Sequence, residues 1–325
     1  MTGDQQSPHA ITTQQTQGAP VASNERMLDC VVIGAGPAGL TAATYLQRFH
    51  RDVVVLDAGA SRARWIPTSH NCPGFPFGVA GTDLLDKLRA QAQTYDARIE
   101  RASVDRLERV DGGFEISAQD RTWRAQYVVL ATGIVDVMPP IEALDAAIAA
   151  GVIRLCAICD GYEASDERIA VYGPLGEALR HALFLRTFSS QVSVVLAQSG
   201  RPDPTQEATA NAARVTLLPV ATRLQLAGRC CRASFAQHPD ATFDTLYPVL
   251  GGTAQSKLAT RLGARAKLGE LRVNASQQTS VDGLYAIGDV VLALNQISVA
   301  VGHAAVAATA IHNRLPPNYR PTTPP

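Results

Sequence analysis

This chain of 325 residues has no excess of positive or negative charge, few aromatic side chains and no long apolar runs. The 29 Lys and Arg residues equal the 29 Asp and Glu residues, so composition indicates no basic surface for nucleic acid or an anionic membrane. No uninterrupted apolar run approaches the roughly 20 residues that a membrane-spanning helix needs. We therefore expect small molecules or proteins as partners, and neither nucleic acid nor a membrane.

Cysteine is scarce as well, because six residues are too few for a disulfide scaffold and are typical of a reducing compartment. We therefore expect a cytoplasmic protein. Residues 1–26 are rich in Gln, Thr and Ser and contain neither an apolar signal core nor an Arg-rich amphipathic pattern, which predicts a disordered tail. The proline-rich segment 315–325 is predicted to be a flexible tail.

A glycine-rich motif, Gly34-Ala35-Gly36-Pro37-Ala38-Gly39, is the first positive feature. It follows the apolar run Leu28–Ile33 and precedes a helical pattern of apolar residues, and a second apolar run, Val53–Leu56, ends in Asp57. Strand, tight turn, helix and strand in this order are typical of a parallel βαβ unit.

The three glycines have separate expected roles. Gly34 allows the turn, Gly36 lets the backbone approach a pyrophosphate, and Gly39 lets the helix pack closely on the strand. Asp57 lies 57 − 34 = 23 positions after the first glycine, close to the offset of about 20 at which an acid binds ribose hydroxyls. The pattern predicts a dinucleotide site, and a glycine-rich turn without a ligand is the alternative.

A similar unit follows later, in which Ile169–Tyr172 and Val192–Leu196 are predicted strands and the turn 173–178 starts a helix. Leu175 occupies the place of the second glycine, where its side chain would crowd a pyrophosphate. Residues 197–199, after the second strand, provide neither an acid for a ribose nor a cluster of arginines for a 2′-phosphate. We expect a nucleotide-type fold whose ligand contacts are damaged.

The C-terminal part contains one more apolar run, Leu284–Ile287, which leads into Gly288-Asp289-Val290. A helix of small residues is predicted over 298–313. Such a helix can lie close to a backbone or a cofactor, and a plain core helix is the alternative.

The second chemical motif is Cys156-Ala157-Ile158-Cys159, followed directly by Asp160. In a reducing compartment a C-x-x-C is more often redox-active or metal-binding than structural. A zinc site needs two further ligands at short spacing, whereas Cys230 and Cys231 are adjacent and the seven histidines form no such pair. We therefore favour redox chemistry, expect no metal, and keep a zinc-binding structural protein as an alternative.

Taken together, the motifs resemble the low-molecular-weight thioredoxin reductase family, a class II pyridine nucleotide-disulfide oxidoreductase fold. The resemblance spans about residues 27–314 and keeps the motif order, which is Gly34–Gly39, His70–Phe75, Ala131-Thr132-Gly133, Cys156–Gly161, Gly288–Val290 and Asn295-Gln296. It implies an α/β fold of two Rossmann-like three-layer domains. An FAD domain would consist of segments 27–138 and 247–314, and an inserted NAD(P)H-like domain, 139–246, would carry the C-x-x-C.

The same resemblance implies FAD as the cofactor and assigns roles to residues. Those it would place against FAD are Gly34, Gly36, Pro37, Ala38, Gly39, Asp57, Asn71, Ala131, Thr132, Gly133, Gly288, Asp289, Gln296 and Ile297. Cys156 and Cys159 would form the redox disulfide, with Cys159 facing the flavin and Cys156 attacking a partner disulfide. Asp160 would donate and accept protons, and a turn aspartate is the alternative.

Two departures from the family concern the electron donor. Leu175 replaces a glycine, and the family's His-Arg-Arg type motif is absent where Leu196-Ala197-Gln198 stand. NAD(P)H is therefore an uncertain cofactor: we predict weak or absent turnover with NADPH, and ferredoxin or another flavoprotein is the alternative donor. The resemblance also implies a homodimer, with a thioredoxin-like protein or a small disulfide or dithiol as partner.

A flavin-dependent dithiol oxidase, which passes electrons from a small dithiol to oxygen, is the alternative enzyme. The remaining cysteines have duller predicted roles: Cys30 in a core strand, Cys72 as a filler in its loop or near the flavin, and Cys230 with Cys231 as neighbours in a strand or a surface redox pair. The sequence does not choose between flavin and solvent for His303.

Overall fold

The computed structural model describes residues 26–322, so residues 1–25 of the predicted N-terminal tail and residues 323–325 of the C-terminal tail lie outside the described residues. The helices are α1 Pro37–Arg48, α2 Gly81–Thr94, α3 Leu144–Ala149, α4 Ala157–Asp160, α5 Leu175–Leu185, α6 Pro204–Ala212, α7 Lys257–Arg261 and α8 Ile297–Arg314. Short 3₁₀ helices lie at Arg62–Trp65, Tyr162–Ala164 and Gly288–Val290. The strands are β1 Met27–Ile33, β2 Val53–Asp57, β3 Arg98–Arg101, β4 Arg106–Val110, β5 Gly113–Ala118, β6 Arg121–Leu130, β7 Ile134–Asp136, β8 Arg168–Gly173, β9 Gln191–Leu196, β10 Thr216–Ala227, β11 Cys230–Phe235, β12 Ala241–Phe243, β13 Thr245–Pro248, β14 Gly252–Ala254, β15 Ala266–Lys267, β16 Glu270–Leu271 and β17 Leu284–Ala286.

Two separated parts of the chain build the first sheet, in the order β3-β2-β1-β6-β5-β4 with β17 paired to β6. Strands β1, β2, β3, β6 and β17 are parallel neighbours, and β4 and β5 are antiparallel. Residues 30–33 of β1 are all buried because apolar clusters cover both faces of the sheet. The predicted strands 28–33 and 53–56 are confirmed.

Helix α1 begins directly after Gly36, with Pro37 at its first position, where a missing backbone N–H costs nothing. Helix α8 packs against α1 through small buried residues, which are Ala300, Ala304, Ala307 and Ala308. The predicted small-residue helix 298–313 is confirmed and extends one residue further at each end. Ala300 also lines the large cavity described below.

A second sheet has the order β12-β11-β10-β9-β8-β13, and β8, β9, β10 and β13 are parallel. Helix α5, which starts in the turn predicted to begin a helix, covers it and buries Ala178, Leu179, Ala182 and Leu185. Both units are therefore Rossmann-like α/β layers. Strand β13 runs to Pro248, two residues past the expected end of the inserted segment at 246, because it pairs with β8.

The chain passes between the two sheets twice, and the two passages lie side by side as β7 and β14, an antiparallel pair with Gly252 opposite Asp136. At the C-terminal end, residues 316–322 contain no helix or strand. The carbonyl of Pro316 nevertheless accepts a hydrogen bond from Arg51, and Asn318 donates one to Phe49. Across residues 26–322, no helix combines the length and hydropathy of a membrane span.

Candidate active site

The glycine turn after β1 has room for a ligand at one of its three glycines. Gly34 has φ +108°, and a Cβ there would lie 2.3 Å from the carbonyl oxygen of Ala131. A Cβ on Gly39 would lie 1.9 Å from the carbonyl oxygen of Gly34. At Gly36 the nearest atom would be Ser61 Oγ at 3.4 Å. The protein's own packing therefore requires Gly34 and Gly39, whereas Gly36 faces open space at the N-terminus of α1.

Asp57 ends β2 beside this turn and is buried. Its Oδ1 accepts a hydrogen bond from the N–H of Gly59 at 2.8 Å, and its Oδ2 pairs with Arg89 Nη2 at 2.7 Å. The carboxylate is thereby held in one orientation at the strand exit, where the sequence predicts a ribose contact.

The residues that follow β6 form the opposite wall. Thr132 Oγ1 donates to the carbonyl of Gln255 at 2.7 Å, and the carbonyl of Gly133 accepts from the N–H of Gln255 at 2.9 Å. Gly133 has φ +65°, which favours glycine. These contacts tie the first part of the chain to the part that returns after the second sheet.

Arg62 is a functional candidate that sequence reasoning missed, since no motif surrounds it. Its Nε and Nη2 donate to Asp136 at 2.6 and 2.9 Å, and its Nη1 lies 3.1 Å from Asp289 Oδ2. Burial disfavours the charge on Arg62, but the hydrogen bond and charge of Asp136 outweigh burial and raise its pKa. Arg62 thus holds in place Asp289, which the sequence predicts to lie along the cofactor.

The two cysteines of the C-x-x-C form a disulfide at the start of α4, with their Cα atoms 5.3 Å apart. The backbone N–H of Cys159 donates to Cys156 Sγ at 3.2 Å. Gln296 Nε2 lies 3.4 Å from each sulfur, and Asn71 Nδ2 donates to Gln296 Oε1 at 2.9 Å. The disulfide therefore packs against two predicted cofactor residues of the other unit.

A single cavity of about 770 Å³ joins the glycine turn to the disulfide. Every predicted site residue lines it except Gly39, which is covered by the turn itself. The structure therefore brings together residues from positions 34 to 297 that the sequence could only order along the chain.

FAD, the cofactor that the resemblance implies, fits this cavity on two observations. The open position at Gly36 lets a pyrophosphate approach the backbone N–H groups at the N-terminus of α1. At the other end, Asn295 Oδ1 lines the cavity and is buried without a hydrogen-bond partner among the described residues. Buried acceptors usually have a partner, and a polar ligand atom would supply one.

Asp160 lies next to the disulfide, and its side chain is 17% exposed. Burial raises the pKa of this carboxyl to about 6, although the charge of Arg154 and a hydrogen bond from Tyr247 act in the opposite direction. Tyr247 donates to Asp160 Oδ1 at 3.0 Å, and Arg154 Nη1 lies 3.6 Å from Oδ2. A carboxyl with a pKa near neutrality can both give and take a proton.

Further polar residues line this end of the cavity, and they were not predicted because they belong to no sequence motif. Arg154 and Glu163 both line it, and His70 Nδ1 lies 3.9 Å from Glu163 Oε1 across the two units. Arg154 Nε and Glu163 Oε2 are buried and have no hydrogen-bond partner within residues 26–322. The surroundings of the disulfide are thus polar and partly unsatisfied.

The glycine turn of the second unit stands apart from the cavity. Leu175 is the first residue of α5, directly after Pro174. Neither residues 173–178 nor residues 197–201 line the cavity that contains the disulfide.

The remaining cysteines lie outside this chemistry or fill space beside it. Cys30 is fully buried in β1, and Cys72 packs with Val79 and Leu84 in a small apolar cluster. Cys230 and Cys231 are consecutive in β11, so they face opposite sides of the sheet, and burial raises the pKa of Cys231 to about 11. The predictions of Cys30 in a core strand and of Cys230 and Cys231 as strand neighbours are confirmed.

His303 lies on α8, close enough to Asp289 for that charge to favour protonation. Burial has the larger effect and lowers its pKa. In the described part of the chain its Nδ1 is buried without a hydrogen-bond partner. Its surroundings are therefore those of a neutral imidazole.

Comparison with known proteins gives matches over most of the chain. The family model described as pyridine nucleotide-disulphide oxidoreductase matches residues 28–304. A thioredoxin reductase of Listeria monocytogenes is 27% identical over 306 residues, which cover 88% of this chain and 93% of that protein. The crystal structure of HlmI aligns with a TM-score of 0.82 at 29% identity, covering 90% of this chain and 93% of HlmI. The thioredoxin reductase of Streptococcus pyogenes, at 24% identity, has the same fold, with a TM-score of 0.81 over 88% of this chain and 97% of that one.

Proposed function

Since the chain belongs to the low-molecular-weight thioredoxin reductase-like branch of the pyridine nucleotide-disulphide oxidoreductase family, we propose a route for its electrons. The chain is an FAD-dependent disulfide oxidoreductase. In our proposal it transfers electrons between FAD and an external disulfide through Cys156 and Cys159. The observation that carries the proposal is the position of the disulfide at one end of the cavity that starts at the glycine turn, with Gln296 Nε2 3.4 Å from both sulfurs. The partner is a thioredoxin-like protein or a small disulfide.

In this proposal the glycine turn and Asp57 hold the ADP half of the cofactor. Asn71 and Gln296 lie at its ring, while Asp289, held by Arg62, lies along the chain between the two halves. When bound, FAD supplies a carrier of two electrons next to the sulfurs. The remaining predicted contacts, proposed on the same basis, are Pro37, Ala38, Ala131, Thr132, Gly133, Gly288 and Ile297.

We assign Cys159 to the flavin and Cys156 to the attack on the partner disulfide. The N–H of Cys159 donates to Cys156 Sγ, and this hydrogen bond would favour a thiolate on Cys156 once the disulfide is open. A thiolate is the nucleophile of thiol–disulfide exchange, which proceeds through a mixed disulfide. Asp160 then exchanges the proton that accompanies each half-reaction.

We further propose that NADPH is a poor donor and that ferredoxin or another flavoprotein supplies the electrons. Leu175 stands at the start of α5, where a nicotinamide nucleotide would need close backbone approach. The strand β9 is followed by no acid and no arginine cluster in residues 197–199. Both features argue against tight binding of NADPH in the second unit.

The organisation proposed with this function is an FAD domain of segments 27–138 and 247–314 around an inserted domain, 139–246. The run of β13 to Pro248 suggests that the last boundary lies just after this strand. A homodimer in the cytoplasm is proposed from the family resemblance. Sedimentation of the purified protein would test the dimer.

One anaerobic titration tests both the function and the donor. Flavin absorbance is followed while NADPH, NADH, reduced ferredoxin and dithiothreitol are offered in turn to the FAD-loaded protein. We expect bleaching by the dithiol in the wild type, loss of this bleaching in Cys159→Ser, and its retention in Cys230→Ser, whose thiol lies on β11 outside the cavity. Absence of dithiol bleaching in the wild type would refute the proposed function.

The donor proposal fails separately if stoichiometric, micromolar NADPH bleaches the flavin. Re-admission of oxygen gives a further distinction. Fast reoxidation with hydrogen peroxide equal to the dithiol consumed would indicate a dithiol oxidase, and slow reoxidation with reduction of an added protein disulfide would indicate a reductase.

A further inference from the structure

A tyrosine hydroxyl reaches Asp160 from the core of the second unit. Tyr247 lies on β13, is 2% exposed, and packs in the apolar cluster that includes Val171 and Leu179. Its hydroxyl donates to Asp160 Oδ1 at 3.0 Å and contacts the backbone carbonyl of Asp160 at 3.2 Å. Within residues 26–322 these two oxygens are its only hydrogen-bond partners.

Packing alone does not explain this hydroxyl. A phenylalanine ring would fill the same space among the same apolar neighbours, whereas a buried hydroxyl is costly unless it is hydrogen-bonded. Tyr172, on the adjacent strand β8, is also a buried residue, but its hydroxyl makes no hydrogen bond to the described protein and remains accessible to solvent. The specific contribution of Tyr247 is therefore its bond to Asp160.

The other charged groups around Asp160 leave its carboxyl without a second close donor. Arg154 Nη1 lies 3.6 Å from Oδ2, which is ion-pair distance rather than hydrogen-bond distance. Glu163, on the 3₁₀ helix after α4, adds a repulsive negative charge and is itself near His70. Among the described residues, Tyr247 is the only side chain within 3.5 Å that donates to this carboxylate.

We propose that Tyr247 is a positioning residue for proton transfer at the disulfide: its hydroxyl orients the Asp160 carboxyl and stabilises the carboxylate that remains after the proton has left. This inference rests on the proposed function. Opening the Cys156–Cys159 bond to two thiols takes two electrons and two protons. Bound, reduced FAD would provide both electrons and one proton, and in this proposal Asp160 gives the second proton to the other sulfur.

The protonation states of the pair agree with this assignment. Burial, and then the charge of Asp160, raise the pKa of Tyr247, so its hydroxyl keeps its proton and remains a donor at neutral pH. A donor to the charged form favours that form, so Tyr247 acts against burial on Asp160. In the opposite direction of electron flow, the same carboxylate accepts the proton of a thiol.

The test is the pH dependence of flavin reduction in the FAD-loaded protein by saturating dithiothreitol, recorded anaerobically by stopped flow. In the plot of reduction rate against pH, the rise or fall that depends on the Asp160 carboxyl is called the kinetic limb here. It is identified as the limb that disappears in Asp160→Asn. We expect Tyr247→Phe to move the limb upward by about one pH unit. Tyr172→Phe, the matched buried control, should leave it in place. Tyr247→Phe added to Asp160→Asn should change nothing further in the pH profile.

If Tyr247→Phe folds and its kinetic limb is not shifted, the inference is overturned while the proposed function stands. If no dithiol reduces the flavin of the wild type, the proposed function itself is overturned. Thermal unfolding reports whether each variant is folded. If Tyr247→Phe does not fold, the near-ultraviolet difference spectrum of the wild type decides. The inference is supported if the wild type shows a tyrosine absorbance change with the same pH midpoint as the kinetic limb and Asp160→Asn shows none. It is refuted if the wild type shows no such absorbance change.

Discussion

Two glycines of the turn after β1 allow the structural and cofactor-binding roles of the motif to be separated experimentally. In Gly36→Ala the new Cβ meets only Ser61 Oγ at 3.4 Å, and the backbone at φ −76° and ψ −176° suits alanine. In Gly39→Ala the new Cβ lies 1.9 Å from the carbonyl oxygen of Gly34. The first change therefore threatens the ligand alone, and the second threatens the contact between α1 and β1.

The two changes should differ in the FAD-free protein. Gly36→Ala should leave the free energy of unfolding within about 1 kcal/mol of the wild type, because the smaller conformational freedom of alanine in the unfolded chain is opposed by the poorer N-cap that alanine makes for α1. Gly39→Ala should lower it by about 1–3 kcal/mol, since α1 must shift away from the turn to relieve the overlap. A methyl group at Gly36 keeps the pyrophosphate from the N-terminus of α1, and we expect FAD affinity to fall about 30- to 100-fold.

Urea unfolding of the FAD-free proteins measures the first pair of effects, and titration of each with FAD by flavin fluorescence measures the affinity. Gly302→Ala serves as the control, because Gly302 lies in α8 with nothing within 4 Å of its added Cβ and does not line the cavity. It should stabilise the protein without changing FAD affinity. Wild-type affinity in Gly36→Ala would refute the assignment of this glycine to the pyrophosphate.

Two further predictions concern stability. The folded protein holds the proton of Asp160 more tightly than the unfolded chain, since folding raises the pKa of this carboxyl from 3.8 to about 6. The protonated carboxyl therefore makes its full contribution to the free energy of unfolding below pH 3.8. That contribution is lost as the pH rises through about 6. Relative to Asp160→Asn, the wild type should therefore lose about 3 kcal/mol between these limits in urea titrations at several pH values, and parallel curves would contradict this. Arg51 is 5% exposed and donates to His312 and to the carbonyl of Pro316. Arg51→Met should cost about 2–3 kcal/mol, measured by urea unfolding against exposed Arg48→Met, because it removes three partly buried hydrogen bonds from a charged donor.

Local pattern explains why much of the fold could be predicted. The glycine turn, the apolar runs around it and the alanine-rich helix 298–313 depend on residues that are neighbours in sequence. The turn at 173–178 likewise starts the predicted helix, which is α5. Strand β13 is not among the predicted strands, and its pairing with β8 carries it past the domain boundary expected at 246.

The contacts of the candidate site could not be predicted in the same way. Tyr247 and Asp160 are 87 positions apart, and Arg62 is separated from Asp289 by 227 positions. Whether such side chains meet depends on strand order, on register and on how the two units pack. Until the strand order, the register and the packing of the two units are known, Arg62 and Tyr247 cannot be told from other residues of a loop and a strand.

By itself, the sequence determined the type of the two α/β units, the order of the motifs and the presence of the C-x-x-C Cys156–Cys159, for which it favours redox chemistry, because each rests on residue type and short spacing. Only the tertiary structure decided what surrounds that chemistry: Gln296 against both sulfurs, and Tyr247 and Arg154 on Asp160. The physical reason is that burial and the distance between charges set the proton affinity of a carboxyl, and both quantities exist only once distant segments have packed together.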